Sequence, residues 1–187
     1  MESAKLETRS QDSPTANGTM LSGYAARFNS PAIIAGAFVE RIAPGAFTRS
    51  LRDRDVVALI GHDHARVLGR KSSGTLTLRE DRQGLAFTLD VDATTPDGQT
   101  ALGTVGRRDV KGCSFGFLVL RESWLETDDL PERTLEEIAL FEVTLTAFPA
   151  YDDTSVALRS LEHARQTGAA RRVRMKAELE QKIRGIS

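Results

Sequence analysis

Histidine restricts the chemistry open to this chain more than any other residue type. The sequence has three, His62, His64 and His163. A serine hydroxyl is almost entirely protonated at neutral pH, so a serine nucleophile needs a neighbouring base, which histidine often supplies. His62 follows an apolar run at residues 56–60 and comes directly after Gly61, where the backbone is open enough to face a cleft. His62 is therefore the candidate general base; the alternative is a surface histidine at a strand end.

Ser114 is the candidate nucleophile. It lies in the run Gly-Cys-Ser-Phe-Gly-Phe at residues 112–117, where small residues let a substrate backbone approach and N–H groups can stabilise an oxyanion. Strand alternation places Ser114 and Gly116 on one face, and Cys113 with the phenylalanines on the other, which we predict to be the core. This parity argues against a Cys113 nucleophile, because free cysteine usually belongs in the core. An ordinary strand serine remains the alternative.

Glu142 is the candidate third member of the site. It lies in an apolar strand pattern at residues 140–145. Burying a carboxylate there is costly unless the carboxylate is paired. Orienting a histidine through its second ring nitrogen is one such pairing. Glu136 and Thr144 share the parity of Glu142, so a solvent-facing strand residue is the alternative.

Other chemistry has weaker support. His62 and His64, with Asp63 between them, form a partial metal site that no further histidine or cysteine pair completes, so we predict no metal. A metal-dependent hydrolase using both histidines stays a third class of function, which a chelator would test. The glycines within residues 98–106 match no phosphate-binding spacing, and no cofactor is predicted. Arg70 is expected to pair with a surface carboxylate rather than to stabilise charge near a cleft.

The composition is that of an ordinary globular chain. With 187 residues, 40% hydrophobic and 27% charged, the chain suits one domain with flexible ends. Its formal net charge of −1 does not draw it towards nucleic acid. The single cysteine excludes an intramolecular disulfide and fits a reducing compartment. We see no signal-peptide pattern and no apolar run near the ~20 residues that span a bilayer, so we expect a soluble intracellular product.

The elements that must position these residues follow from the apolar patterns. About seven strands with two or three inserted helices indicate the α+β class, as a mixed β-barrel or a curved sheet. Residues 30–37 are predicted to form a loop. Strands are predicted from Met20 and at residues 38–42, 56–60, 75–79, 85–91, 113–120 and 135–146, and helices at residues 44–51 and, after an N-cap at Thr95, from 96 to 107.

Composition and charge divide the chain into three segments. Residues 1–18 are polar and predicted to be disordered, and residues 19–158 form the ordered domain. Residues 159–187 are predicted to be a helical basic tail, with 8 Lys and Arg against 3 Asp and Glu, whereas residues 19–158 hold 15 against 20. Such a tail can bind nucleic acid, an acidic partner or the acidic body, or be a solvated charged helix.

The ordered motifs together resemble the HK97-type prohead (capsid maturation) serine proteases of tailed phages, a family with prophage and gene-transfer-agent relatives. The resemblance covers residues 23–159. Two departures are Gly61, where we expect asparagine, and Thr144, where we expect serine. The motifs are Gly23-Tyr24-Ala25, Phe28-Asn29, residues 42–47, His62-Asp63, residues 67–70, Gly74-Thr75-Leu76, and residues 114–117, 141–144 and 149–152.

The resemblance implies a herpesvirus-assemblin-like fold, a β-barrel surrounded by helices, with the protease domain at residues 19–158. It implies a serine endopeptidase whose base, nucleophile and third residue follow the chain order of His62, Ser114 and Glu142. Its partners would be the major capsid protein with its scaffold segment, and itself, through self-cleavage or as a homo-oligomer. No membrane or specific nucleic acid is implied. The enzyme would act inside the immature capsid, in the bacterial host cytoplasm.

Two further expectations follow from the resemblance. The basic tail at residues 159–187 would tether the enzyme to the assembling shell and offer a region for self-cleavage. The alternative function is a catalytically silent scaffold or capsid-assembly protein of the same fold.

Overall fold

The computed structural model describes residues 6–147, 158–168 and 175. The chain divides into two compact units, residues 1–153 and 154–187. The described part of the first unit consists of strands and two helices. Its elements are β1 (Glu7–Gln11), β2 (Thr15–Asn17), β3 (Met20–Arg27), β4 (Ala32–Ile34), β5 (Phe38–Ile42), α1 (Thr48–Asp53), β6 (Val57–Ile60), β7 (Asp63–Arg70), β8 (Leu76–Glu80), β9 (Gly84–Asp90), α2 (Pro96–Gly106), β10 (Gly112–Leu125) and β11 (Glu132–Thr146).

The longest strand, β11, organises the larger of two sheets. Strand β10 pairs with it antiparallel from one end to the other. On its other side, β11 pairs in parallel with β5 through residues 132–135 and then with β6 through residues 142–145. Strand β4 extends the sheet beyond β5, β7 beyond β6, and β1 beyond β10. The second half of β11, which carries Glu142, therefore lies between β10 and β6.

The smaller sheet has the antiparallel order β2-β3-β9-β8. Strands β8 and β9 form a hairpin, in which Glu80 pairs with Leu85. Its loop is closed by the side chain of Asp81, whose Oδ1 accepts hydrogen bonds from the N–H groups of Gln83 and Gly84. Local side-chain bonds of this kind are the reason that aspartate favours turns.

One hydrophobic core joins the two sheets and α2, and Leu51 of α1 packs against it. Phe47 lies edge-on to Phe115 at 5.7 Å between ring centroids, and Phe115 stacks on Phe117 at 5.1 Å. Cys113, Phe115 and Phe117 are all buried in this core, as strand alternation predicts. Their packing fixes the orientation of β10, so that Ser114 and Gly116 lie on its other face.

The predicted α+β class is confirmed, but the described strands do not close into a barrel. Closure requires the outer strands of a sheet to pair with each other. In the larger sheet β11 exchanges β5 for β6 halfway along, so the sheet forks instead of continuing around an axis. In the smaller sheet β2 and β8 stand at opposite edges. The described part of the chain thus holds two open sheets.

The N-terminal segment differs from the prediction of disorder at residues 1–18. Residues 7–11 and 15–17 form β1 and β2. The composition suggested disorder because the segment has almost no apolar anchor. Its anchor is ionic instead: Glu7 and Arg9 are 2% and 3% exposed and form ion pairs in the interior. Pairing of this kind offsets the cost of burying charge.

The helix α2 begins where the sequence predicts. Thr95 is its N-cap, and the Oγ1 atom of Thr95 accepts a hydrogen bond from the N–H of Gly98, while Pro96 occupies the first turn. No helix within the described ranges is long and apolar enough to cross a membrane.

The first helix is shorter than predicted. The pattern predicts a helix from Pro44, but α1 begins only at Thr48. Gly45 has a φ of 89°, which lies outside the helical region, and residues 43–46 form a turn closed by the bond from the Ala46 N–H to the Ala43 carbonyl. The predicted loop at residues 30–37 contains the short strand β4.

The second unit is described as a helix over residues 158–168. Apart from Met175, the rest of the predicted basic tail lies outside the described residues. The motif at residues 149–152 also falls outside them.

Candidate active site

His62 lies at the tip of the hairpin between β6 and β7. Ile60 pairs with Asp63, so Gly61 and His62 are the two central residues of the turn, with φ values of 60° and 59°. Two-residue hairpins with positive φ at both positions are type I′ turns, which favour glycine and asparagine. Gly61 thus preserves the backbone that the expected asparagine would adopt. For His62 the conformation costs about 1–3 kcal/mol, a strain typical of functional sites.

The imidazole of His62 contacts the carboxylate of Glu142. Its Nδ1 atom lies 2.6 Å from Oε1 of Glu142. The carboxylate is 2% exposed and the histidine side chain 31%. An ionised carboxylate can only accept hydrogen bonds, so Nδ1 carries the hydrogen and Nε2 of a neutral His62 keeps a lone pair. The pair is thus oriented for Nε2 to accept a proton.

Strand register places Ser114 on the same sheet face as Glu142. Ser114 pairs with Thr144, and Gly116 pairs with Glu142, across β10 and β11. Directly opposed residues of antiparallel strands point to the same face. Gly116 leaves room for the carboxylate: a Cβ atom built there would come within 2.6 Å of Oε1 of Glu142. A glycine at position 116 is therefore required by packing.

The Ser114 hydroxyl is engaged by the N-terminal strand and not by His62. Its Oγ atom donates a hydrogen bond to the backbone carbonyl of Arg9 on β1, at 2.6 Å, and Ser114 is 1% exposed. The structure thus joins His62 to Glu142 and places Ser114 on their sheet face, with the serine hydroxyl held elsewhere.

Two buried oxygen atoms at this face have no hydrogen-bond partner in the described part of the chain: Oε2 of Glu142 and Oγ1 of Thr144. A buried polar atom left unpaired costs about 1–3 kcal/mol. The sequence predicts no role at the site for Thr144. Its parity with Glu142 was the signal that it lies at the site.

The structure separates the other sequence candidates from the site. Cys113 points into the core, and burial, followed by the negative charge of Glu142, raises the pKa of its thiol. Arg70 pairs with Asp55 at 2.8 Å, as predicted. His64 is exposed on β7, and no group of three or more His, Cys, Asp or Glu side chains among the described residues could hold a metal ion.

A buried ion network that the sequence does not predict lies beside the core. Arg133 on β11 binds Glu7 at 3.0 Å and Glu40 at 2.8 Å, and Arg9 binds Glu40 at 2.5 Å and Glu7 at 2.8 Å. Glu122, at 2.6 Å from Arg133, completes it. Burial by itself would lower the pKa of Arg133, but its bond to Glu7 and the surrounding carboxylates outweigh burial and raise it. No sequence pattern links these positions, since β1, β5, β10 and β11 meet only in the sheet.

The fold and the site define a class: an α+β sheet protein with a histidine–carboxylate pair and a serine on one sheet face, the side-chain set of a serine hydrolase. Residues 4–167 match the family described as Caudovirus prohead serine protease, and the chain belongs to that family. Membership supports a serine protease with a role in phage capsid maturation. The comparisons with curated proteins and with solved structures found no match.

Proposed function

We propose that the chain is a serine endopeptidase that cleaves scaffold and capsid segments, and itself, during prohead maturation. Ser114 is the nucleophile, His62 the general base, and Glu142 the residue that orients His62. The observation that carries the proposal is the 2.6 Å contact between Nδ1 of His62 and Oε1 of Glu142. A surface histidine at a strand end has no need of a buried carboxylate partner, whereas a general base does.

The mechanism follows from this arrangement. Nε2 of His62 takes the proton of Ser114 as Oγ attacks the scissile carbonyl carbon, and backbone N–H groups stabilise the oxyanion. The imidazolium, balanced by Glu142, donates the proton to the departing amine as the peptide C–N bond breaks. Water, deprotonated by His62, then attacks the acyl carbon, and as the ester C–O bond breaks His62 returns the proton to Oγ of Ser114. The Ser114 hydroxyl must leave the Arg9 carbonyl before the first step.

The proposed setting is the interior of the immature capsid in the bacterial host cytoplasm. The substrates are the scaffold segment of the major capsid protein and the chain itself, with no specific nucleic acid and no cofactor, and a second copy of the chain is a further partner. The excess of Lys and Arg over Asp and Glu in residues 159–187 supports a tether to the shell, or a region of self-cleavage. If a chain ending at Leu161 is packaged normally, the tether is wrong.

One observation favours a second candidate, a catalytically silent assembly protein. Ser114 is buried and its hydroxyl bonds to Arg9 rather than to His62. A silent protein would tolerate the loss of its histidine, so His62→Ala separates the two functions.

The test is co-expression of the chain with its cognate capsid protein, followed by intact mass measurement of both proteins. The matched pair of variants is Ser114→Ala and Ser123→Ala, since both serines lie on β10 and Ser123 is exposed. We expect discrete truncations with the unaltered chain and with Ser123→Ala, and none with Ser114→Ala. Uncut proteins inside assembled shells in all three samples would favour the silent assembly protein.

A further inference from the structure

We propose that β1 holds this protease in a latent state, in which residues 6–11 occupy the space that a peptide substrate must enter. Strand β1 then has to leave β10 before the first cleavage. This inference rests on the proposed function and adds to it a means of restraining the enzyme until assembly.

The first observation is the contact of β1 with the nucleophile. Strand β1 pairs with residues 113–117 of β10, in the register Ser10 opposite Ser114. The Arg9 carbonyl accepts the Ser114 hydroxyl hydrogen at 2.6 Å. That hydrogen is the one that His62 must remove in the first step of the reaction. With β1 in place, the serine cannot donate to its base.

The second observation is that the N-terminal segment covers the same face beside Glu142. A Cβ atom built on Gly116 would lie 3.1 Å from Cδ2 of Leu6, which places the Leu6 side chain against this glycine. Under this cover Oε2 of Glu142 and Oγ1 of Thr144 have no hydrogen-bond partner among the residues that the structure describes. The covered state therefore carries the cost of two unpaired buried oxygens, which the departure of β1 would relieve by admitting water.

The third observation is that β1 is held by charged side chains of opposite sign, which can leave the interior together with the strand. Glu7 and Arg9 are buried side chains of β1, and their combined charge is zero. When they depart, Arg133 keeps its bonds to Glu40 at 2.8 Å and to Glu122 at 2.6 Å. Both departing groups regain hydration in water, which a strand anchored by apolar side chains would not do. The network thus permits release without leaving Arg133 unpaired.

The position of β1 in the sheet also suits release. Among the described strands it pairs only with β10, at the sheet edge. Its removal breaks one ladder and leaves the rest of the sheet intact. The uncovered edge at residues 113–117 is then free to pair with an extended peptide.

The first test weakens the hold of β1 in the full chain. The double variant Glu7→Ala/Arg9→Ala removes one charge of each sign, and Thr15→Ala on β2 is the control. The measurement is the rate at which a fluorophosphonate probe modifies Ser114. We expect a rise of about tenfold or more for the double variant, as for a shifted opening equilibrium, and none for the control. Equal rates in the double variant and the unaltered chain would overturn latency.

The second test closes the strand covalently. Gln11 pairs with Cys113, the one cysteine of the chain, so Gln11→Cys places two cysteines at directly opposed positions of β1 and β10, a spacing that suits a disulfide. We expect the oxidised variant to resist the probe and the reduced variant to react as the unaltered chain does. The same oxidant should not affect the unaltered chain. Equal reaction of the oxidised and reduced forms would overturn the proposal.

A measurement that does not depend on the reactivity of Ser114 distinguishes this inference from the proposed function. Hydrogen exchange of the amides in residues 113–117 reports the departure of β1 directly. Faster exchange in Glu7→Ala/Arg9→Ala without any probe reaction would support release of β1 and contradict the Ser114 nucleophile. Unchanged exchange in a folded double variant would contradict release itself.

Discussion

The Nδ1 atom of His62 lies 2.6 Å from Oε1 of Glu142, although the two residues are 80 positions apart in the chain. The parallel pairing of β6 with β11 brings them together, since it places Glu142 opposite Val57. The turn that follows β6, with His62, stays beside β11, because the Gly61 N–H donates to the Leu145 carbonyl. The contact thus gives the strained hairpin residue His62 and the buried carboxylate of Glu142 a hydrogen-bond partner each. In the proposed mechanism this contact fixes the tautomer of His62 and balances the imidazolium.

Replacing Glu142 by glutamine should lower kcat by about 10²- to 10⁴-fold while the protein stays folded, because the amide removes the charge but keeps the shape. Peptide-bond cleavage by the purified, assembled enzyme is the measurement. The control is Glu136→Gln, on the same strand, where the carboxylate pairs with Arg121 at the surface. Equal activity of the two variants would show that Glu142 does not orient the base.

Gly116→Ala should damage the site through packing. The added Cβ would meet Glu142 Oε1 at 2.6 Å and Cγ at 2.9 Å. We expect a loss of about 1–3 kcal/mol in the free energy of unfolding, together with a loss of activity. Gly103→Ala in α2 meets nothing within 4 Å and should gain up to about 1 kcal/mol. Denaturant unfolding of both variants tests the contrast, and an unchanged stability for Gly116→Ala would contradict the geometry.

The thiol of Cys113 should not react with an added thiol reagent in the folded, unaltered protein. Burial raises the pKa of this thiol, so the reactive thiolate is scarcer than in a free cysteine at any pH below that pKa. Titration with a thiol reagent should show no labelling until denaturant is added. Cys113→Ala should keep proteolytic activity. Complete loss of activity in this variant would make Cys113 a candidate nucleophile again.

Arg133 should be a major determinant of stability. Arg133→Met leaves the buried carboxylates of Glu7 and Glu40 with Arg9 as their one cation among the described residues, and we expect a loss of about 3–5 kcal/mol in the free energy of unfolding. The exposed pair of Arg49 with Glu137 gives the comparison, since Arg49→Met should cost no more than about 1 kcal/mol. Similar losses for the two variants in urea unfolding would contradict the role of the network.

Local patterns predicted the elements but not how they assemble. The N-cap at Thr95, the hairpin at residues 80–84 and the core face of β10 were predictable, because each depends on neighbours in sequence. The order β6-β11-β10, and with it the contact of His62 with Glu142, depends on long-range pairing that periodicity does not encode. Strand β1 was missed for a related reason: its buried residues are charged, and their partners lie on β5 and β11.

The nucleophile can be tested most directly by mapping a fluorophosphonate adduct. Trypsin releases residues 112–121 as one peptide, in which Ser114 is the single serine. The measurement compares the chain and its Glu7→Ala/Arg9→Ala variant, each with and without His62→Ala. We predict an adduct on this peptide whenever His62 is present, and its loss by orders of magnitude in His62→Ala. An adduct on another peptide, or equal labelling without His62, would contradict the proposed Ser114–His62–Glu142 site.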